Sequence, residues 1–293
     1  FCKAFLDMNH AIGVNPHSIG WKAIYKHLDK HPNVFDMDFG NYDKRLQAIL
    51  LATAFRIIRK TIQKIAPDGW DLAREILQDE AINTFVISSL TDTIYQTKRG
   101  NKSGEYLTTV INCICNDILS YYAWIEITNI RELSTFRENV SIVTFGDDKC
   151  ESVSDDFADL YNYETVKVVM NSIGHVITPG NKDGIESKFC GMSKLQFLKR
   201  TFVGLDGAIL APLSTRSIES PFVWTQTDST EVIIWKNLIE QSLYEAFLHG
   251  EEYYTDFCNK LGKCSDLYLR TQIASLLTVS YNQIASKYFR VWY

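Results

Sequence analysis

Apolar and polar positions alternate most clearly in NVFDMDF, residues 33–39. Phe35, Met37 and Phe39 fall on one face; Val34, Asp36 and Asp38 fall on the other. A period of two predicts a strand, here with a carboxylate-bearing face. Gly40-Asn41 follows as a turn signal. Leu46, Leu50, Ala54, Ile57 and Ile58 then recur at helical spacing. Asp43 stands where an N-cap belongs, so it is expected to open that helix. Pro67-Asp68-Gly69 marks a loop, and LAREILQDEAI reads as a short helix. TFVISSL and TIYQTK are rich in β-formers and predict a hairpin. KRGNKSGEY is a glycine-containing loop, and helical spacing resumes from residue 108 to about 124. Residues 140–145 and 149–153 flank Gly146-Asp147, a two-residue hairpin turn.

Residues 155–174 read as one amphipathic helix with a glycine stop. HVITPGNKDG predicts a short strand and a turn, and LQFLKRTFVG alternates weakly, like another hairpin. Asp228 with Glu231 makes a capping-box-like start for a helix running to Gly250, and the remainder is helical. The order is a mixed α+β core followed by a helical end, without internal repeats or low-complexity segments.

Composition is ordinary: 293 residues, 46% hydrophobic, 22% charged and 13% aromatic, enough for one large or two ordinary domains. No apolar run approaches the ~20 residues of a membrane span. FCKAFLDMNH has no basic stretch leading into an apolar one, so no signal peptide is expected. The chain starts at Phe1 rather than Met and is expected to be a piece of a longer one. Seven cysteines, an odd number without a CxxC pair, predict reduced thiols rather than a disulfide framework or zinc site. N-x-S at Asn101 and Asn139 carries no meaning in such a chain. His27 and His31 lack the glutamate of a zincin helix, and Gly262-Lys263 lacks the loop of a P-loop. The net charge of −5 speaks against a nucleic-acid footprint. The cations are nonetheless bunched at 56–60, at 98–102, and at Lys182, Lys188, Lys194, Lys199 and Arg200.

The carboxylates change this picture. Asp38 and Asp43 flank the end of one strand, and Asp147-Asp148 sits on a hairpin tip. Adjacent carboxylates repel, and divalent cations relieve that repulsion. Mg²⁺ takes one or two carboxylates plus substrate phosphates. Two ions ~3.5–4 Å apart serve in-line phosphoryl transfer.

At this point several segments together resemble the RNA-dependent RNA polymerases of picorna-like positive-strand RNA viruses. FGDDK resembles their GDD motif, and DFGNYD is similar to their D-x4-D motif. SGEYLTTVIN resembles the serine-glycine loop and helix, with Thr108 and Asn112 in place. TPGNK and FLKR resemble the two motifs that follow, and AIGVNPHS the stretch before the first. The likeness covers residues 11–202 well and the helical end loosely.

The resemblance implies a right-hand polymerase of the α+β class: an antiparallel palm sheet backed by helices, with partial fingers and a helical thumb. The implied divisions are 1–32 (fingers and palm remnant), 33–62 (palm), 63–100 (fingers insertion), 101–202 (palm) and 203–293 (thumb). Asp38 and Asp147 would ligate two Mg²⁺ ions, or Mn²⁺, with Asp148 in support. Asp43 and Asn112 would read the ribose 2′-OH, joined by Ser103 and Thr108, with Gly104 giving the loop freedom. Lys182 would act as general acid toward pyrophosphate. Lys199 and Arg200 would meet primer phosphates. Implied partners are template and primer RNA, nucleoside triphosphates, a protein primer and other viral replication proteins. The implied location is the host cytoplasm, in membrane-associated replication complexes.

The sequence also departs from the pattern. Phe145 stands where tyrosine is commoner, and Asp36 is an extra carboxylate, read here as a solvated strand residue. About 37 residues precede Asp38, without the basic strand that grips the triphosphate. That absence motivates a competing expectation: a catalytically silent fragment that binds RNA or replication partners. A reverse transcriptase shares the palm chemistry, but Asp43 with Asn112 argues for ribonucleotides.

Overall fold

The computed structural model describes residues 7–180, 187–205, 207–223, 232–263 and 267–292. It divides into two compact units, Phe1–Gly13 with Lys26–Phe197, and Val14–Tyr25 with Leu198–Tyr293. Helix α1 (Gly20–Leu28) carries the chain across that division.

The first unit continues with β1 (Asn33–Phe39), α2 (Tyr42–Arg45), α3 (Ala48–Ile65), α4 (Asp71–Ile82), β2 (Phe85–Ser88) and β3 (Thr93–Gln96). Next come α5 (Thr108–Thr128), α6 (Leu133–Asn139), β4 (Val140–Phe145), β5 (Asp148–Val153), α7 (Tyr163–Ser172) and β6 (Ile177–Thr178). Four strands form an antiparallel sheet in the order β4-β5-β1-β6. Phe35, Met37 and Phe39 of β1 bury their rings and thioether in a core with Leu119, Ala123 and Trp124 of α5 and Val166 and Met170 of α7. The period-two pattern therefore faces the helices as expected. β2 and β3 pair as the expected hairpin.

Three local expectations change. Asn41, in the left-handed region, precedes α2, so Asp43 lies inside the first turn rather than capping it. Leu46 and Gln47 then leave helical geometry before α3 begins. The helix expected over 155–174 starts only at Tyr163, because the Asn162 side chain accepts the Glu164 and Thr165 N–H groups in a capping box.

The second unit contains β7 (Val203–Leu205), β8 (Ala208–Leu210), α8 (Thr215–Glu219), α9 (Val232–Phe247), α10 (Glu251–Gly262), α11 (Leu267–Leu277) and α12 (Tyr281–Trp292). Leu243 and Phe247 of α9, Tyr254 and Phe257 of α10, Ile273 and Tyr288 close its core. The hairpin expected in LQFLKRTFVG lies later, between β7 and β8, since Leu198 (φ 54) and Lys199 (φ 59) are left-handed and break extended pairing. The division falls after Phe197 rather than after residue 202, and residues 14–25 join the helical end. The Trp21 and Phe202 rings meet at a tilt of 58° with centroids 5.6 Å apart, and the Tyr288 hydroxyl donates to His17 O at 3.1 Å. The capping box expected at Asp228 and Glu231 lies outside the described residues.

Candidate active site

The β1–β5 ladder runs from Asn33↔Val153 to Met37↔Lys149. The next residues along the two strands are Asp38 and Asp148. Opposed residues of an antiparallel pair share a face, with Cα atoms roughly 4.5–5.5 Å apart. Asp148 also closes the β4–β5 ladder opposite Phe145, leaving Gly146 and Asp147 as the two-residue turn. Gly146 has φ +67, a value a two-residue turn asks for and glycine adopts freely. Asp147 is exposed at the tip, and Asp38 and Asp148 are partly buried.

Helix α5 grips this turn from below. Asn116 Nδ2 donates to Gly146 O at 2.7 Å, and Gly146 N–H donates to Cys113 Sγ at 3.3 Å. Burial pushes the Cys113 thiol up, so the acceptor is a thiol rather than a thiolate. Beneath the tip, Lys149 and Glu151 form a fully buried ion pair at 3.1 Å. Lys149 donates to Ser120 Oγ at 2.8 Å; Ser120 and Tyr161 donate to the two Glu151 oxygens at 2.6 and 2.9 Å. A buried pair survives when its remaining polar atoms are also satisfied, and here they are.

Asp36 is not the solvated residue expected. It is 6% exposed and accepts from Gly180 N–H at 2.9 Å and Gln196 N–H at 2.8 Å. Burial pushes its carboxyl up, against those two hydrogen bonds. A Cβ on Gly180 would lie 2.8 Å from Asp36 Cγ, so glycine lets the loop close on the carboxylate. Thr178 pairs with Asp38 on β6. Asp36 thus fastens two of the motif-bearing segments to the strand that carries Asp38.

The expected ribose readers are joined through a residue that sequence reasoning set aside. Asn101 N–H donates to Asp43 O at 2.7 Å. Its side-chain amide donates to Thr108 O at 3.0 Å and to Asn112 Oδ1 at 2.7 Å. Tyr42 donates to Asn112 O at 3.0 Å. Gly100 (φ +83) packs so close that a Cβ would stand 2.6 Å from Asp43 O. The Thr108 hydroxyl donates to the Lys102 and Glu105 carbonyls at 2.9 and 2.8 Å, tying the loop to the start of α5. Ser103 and Gly104 are exposed, and Gly104 has φ +100. Asn116 could have been found in the sequence: it lies one helical turn beyond Asn112, on the same face of α5.

Three expectations remain. Lys182 lies outside the described residues. In the second unit Lys199 is exposed, but Arg200 is 7% exposed and committed elsewhere. Arg200 donates to both Glu245 oxygens at 2.8 and 2.6 Å and to Ala211 O at 2.7 Å. His17 Nε2 stands 3.2 Å from the same carboxylate. Arg200 is therefore an internal strut, with its fork filled before any phosphate arrives.

Comparison with known proteins decides the family. A family model described as viral RNA-dependent RNA polymerase matches residues 3–265. This chain belongs to the viral RNA-dependent RNA polymerase family. The Replication polyprotein of Nora virus is 45% identical over 293 residues, which is 100% of this chain and 14% of that protein. The Replicase polyprotein of Cricket paralysis virus is 30% identical over 266 residues, 85% of this chain and 15% of that protein. Among solved structures, a Sicinivirus 3Dpol RNA dependent RNA polymerase superposes with a TM-score of 0.74 at 18% identity. That match covers 96% of this chain and 56% of the other. The fold is accordingly that of a right-hand polymerase, as the family resemblance implied.

Proposed function

We propose that this chain supplies the catalytic palm of an enzyme that synthesises RNA on an RNA template. The primer 3′-oxygen forms a bond to the α-phosphorus of a nucleoside triphosphate, the bond to the β-phosphate bridge breaks, and pyrophosphate leaves. The observation that carries this reading is the β1–β5 register, which ends at Met37↔Lys149 and leaves Asp38 and Asp148 as the next residues of the two strands, one residue from the Asp147 tip.

Among the described residues no group of three His, Cys, Asp or Glu stands ready to hold an ion. The donor set still fits magnesium, which takes few carboxylates and completes its shell with substrate phosphates and water. Asp38, Asp147 and Asp148 would hold two Mg²⁺ ions, or Mn²⁺. When bound, these ions supply activation of the attacking oxygen and charge relief on the leaving one. The protein's own groups orient the reaction. Asp43 and Asn112, linked by Asn101, present a carboxylate and an amide to the ribose 2′-OH. Lys182 would donate a proton to pyrophosphate, and Lys199 would meet a primer phosphate.

No helix among the described residues is long and apolar enough to cross a membrane. Assembly with other replication proteins and a protein primer, in membrane-associated complexes of the host cytoplasm, is the setting we assign by family likeness.

The test is Asp147→Asn in the full-length polymerase. Elongation should vanish while the melting temperature holds; normal elongation by the variant would sink the assignment. Primer extension by residues 1–293 alone separates a working palm from a silent RNA-binding fragment. A preference for ribonucleotides over deoxyribonucleotides separates it from a reverse transcriptase.

A further inference from the structure

The edge strand β4 is covered over only part of its length. Thr144 N–H donates to Asn9 O and Ala11 N–H to Thr144 O, both at 2.8 Å, so residues 9–11 lie along its end. Asn9 has φ 55, a left-handed value that carries the chain out of extended pairing. Two residues back on β4, Ile142 O faces His27 Nε2 at 3.1 Å instead of a neighbouring strand. Beside Val140, Ser141 and Ile142 this leaves a cavity of about 430 Å³.

Ile118 and Tyr121 of α5 and Leu133 and Phe136 of α6 supply the apolar wall, with the Tyr121 and Phe136 rings 5.4 Å apart. The Tyr121 hydroxyl already donates to Arg131 O, so its ring offers the cavity a π-system rather than a polar atom. Asp117 of α5 brings a carboxyl to the same space. The Asn9 amide reaches one of its oxygens, at 3.5 Å, and the other has no hydrogen-bond partner among the described residues. Lys149, whose charge is felt at Asp117, is paired with Glu151 at 3.1 Å. Asp7, Lys30 and Arg137 also line the cavity, but all three are exposed, and water screens them. A carboxylate partly withdrawn from water keeps a desolvation cost that an ammonium ion offsets. Aromatic rings add cation–π attraction, and apolar walls suit a hydrocarbon stem. The volume suits a small organic ligand.

We propose that this cavity binds a small organic cation, an ammonium group on a short aromatic or aliphatic stem, with Asp117 as its counter-ion. Asn116, the preceding residue, holds the Gly146 carbonyl, so the bound cation sits on the turn of α5 that supports the acidic tip. The site needs none of the polymerase chemistry and stands or falls separately from it.

The probe is phenethylamine, with 2-phenylethanol as its uncharged counterpart, titrated into the full-length polymerase by ligand-observed NMR. At pH 8 the wild type should bind the amine about tenfold more tightly than the alcohol. Asp117→Asn should bring the amine down to the level of the alcohol. Burial pushes the Asp117 carboxyl up to about 7, so at lower pH the amine must displace a proton. Amine affinity should therefore fall by about tenfold or more from pH 8 to pH 5, while alcohol affinity stays level. His27 is the other group here that titrates: burial lowers its imidazole, and once protonated it would also repel a cation. A pH slope that persists in Asp117→Asn assigns the effect to His27 and overturns the role of Asp117. Equal binding of amine and alcohol by the wild type at pH 8, or full amine binding by Asp117→Asn, overturns the site. The two wild-type comparisons, amine against alcohol and pH 8 against pH 5, decide the matter even if the variant fails to fold.

Discussion

The side-chain amide of Asn116 holds the carbonyl of Gly146 at 2.7 Å, from a helix thirty residues earlier in the chain. With Cys113 accepting the Gly146 N–H, both backbone groups of the glycine before the acidic tip are taken by α5. Asn116→Ala leaves a buried carbonyl without its donor, a cost of about 1–3 kcal/mol. The expected outcome is a lowered melting temperature and nucleotide incorporation reduced more than tenfold, with RNA affinity unchanged. Single-turnover incorporation and RNA binding measured on the same variant check it.

Asp36 accepts two backbone N–H groups from segments far along the chain, Gly180 and Gln196. Asp36→Asn keeps the shape but turns one acceptor into a donor, so one N–H faces another. A loss of about 1–3 kcal/mol is expected in chemical unfolding. Gly180→Ala should cost a similar amount through the 2.8 Å approach to Asp36 Cγ. In an Asp36→Ala background the added methyl finds room, so the two substitutions should be clearly non-additive.

Asp117 on α5 gives a pH dependence. It is partly buried beside Asn9, whose amide lies 3.5 Å away. Burial pushes its carboxyl up to about 7, opposed by the Asn9 amide and the Lys149 charge. The folded state then holds the proton more tightly than the unfolded one. This contribution to stability is fullest below pH about 4, falls as pH rises toward about 7, and is flat above that. Asp117→Asn removes the slope. The variant should be more stable than the wild type at pH 8, and the gap should close toward pH 5 in paired thermal melts.

Lys199 and Arg200 are neighbours with opposite assignments. Arg200→Ala strands Glu245 in a buried site, a loss of about 3–5 kcal/mol by the usual cost of breaking such a pair. It should leave the salt dependence of RNA binding as it was. Lys199→Ala should leave stability within about 0.5 kcal/mol and lower the salt slope of RNA binding by about one. A slope change confined to Arg200→Ala would reverse the two roles.

The sequence by itself determined what depends on near neighbours. Alternation in residues 33–39 fixed the strand and its buried face, because a side chain two residues on returns to the same side. Gly146-Asp147 fixed the hairpin, because few dipeptides accept that turn. The acidic and serine-glycine motifs were legible for the same reason: their spacing is short and their residue types are chemically constrained. Tertiary structure decided what depends on partners distant in the chain. Periodicity shows that Asp36 leaves the core face, but not that Gly180 and Gln196 cover it. It shows Arg200 as a cation, but not that Glu245, with His17 beside its carboxylate, takes the guanidinium. It shows Asn101 in a loop, but not that one side chain joins Thr108 to Asn112 while its backbone holds Asp43. A polar group's role is set by what satisfies it after desolvation, and chain folding alone brings those partners within hydrogen-bonding distance.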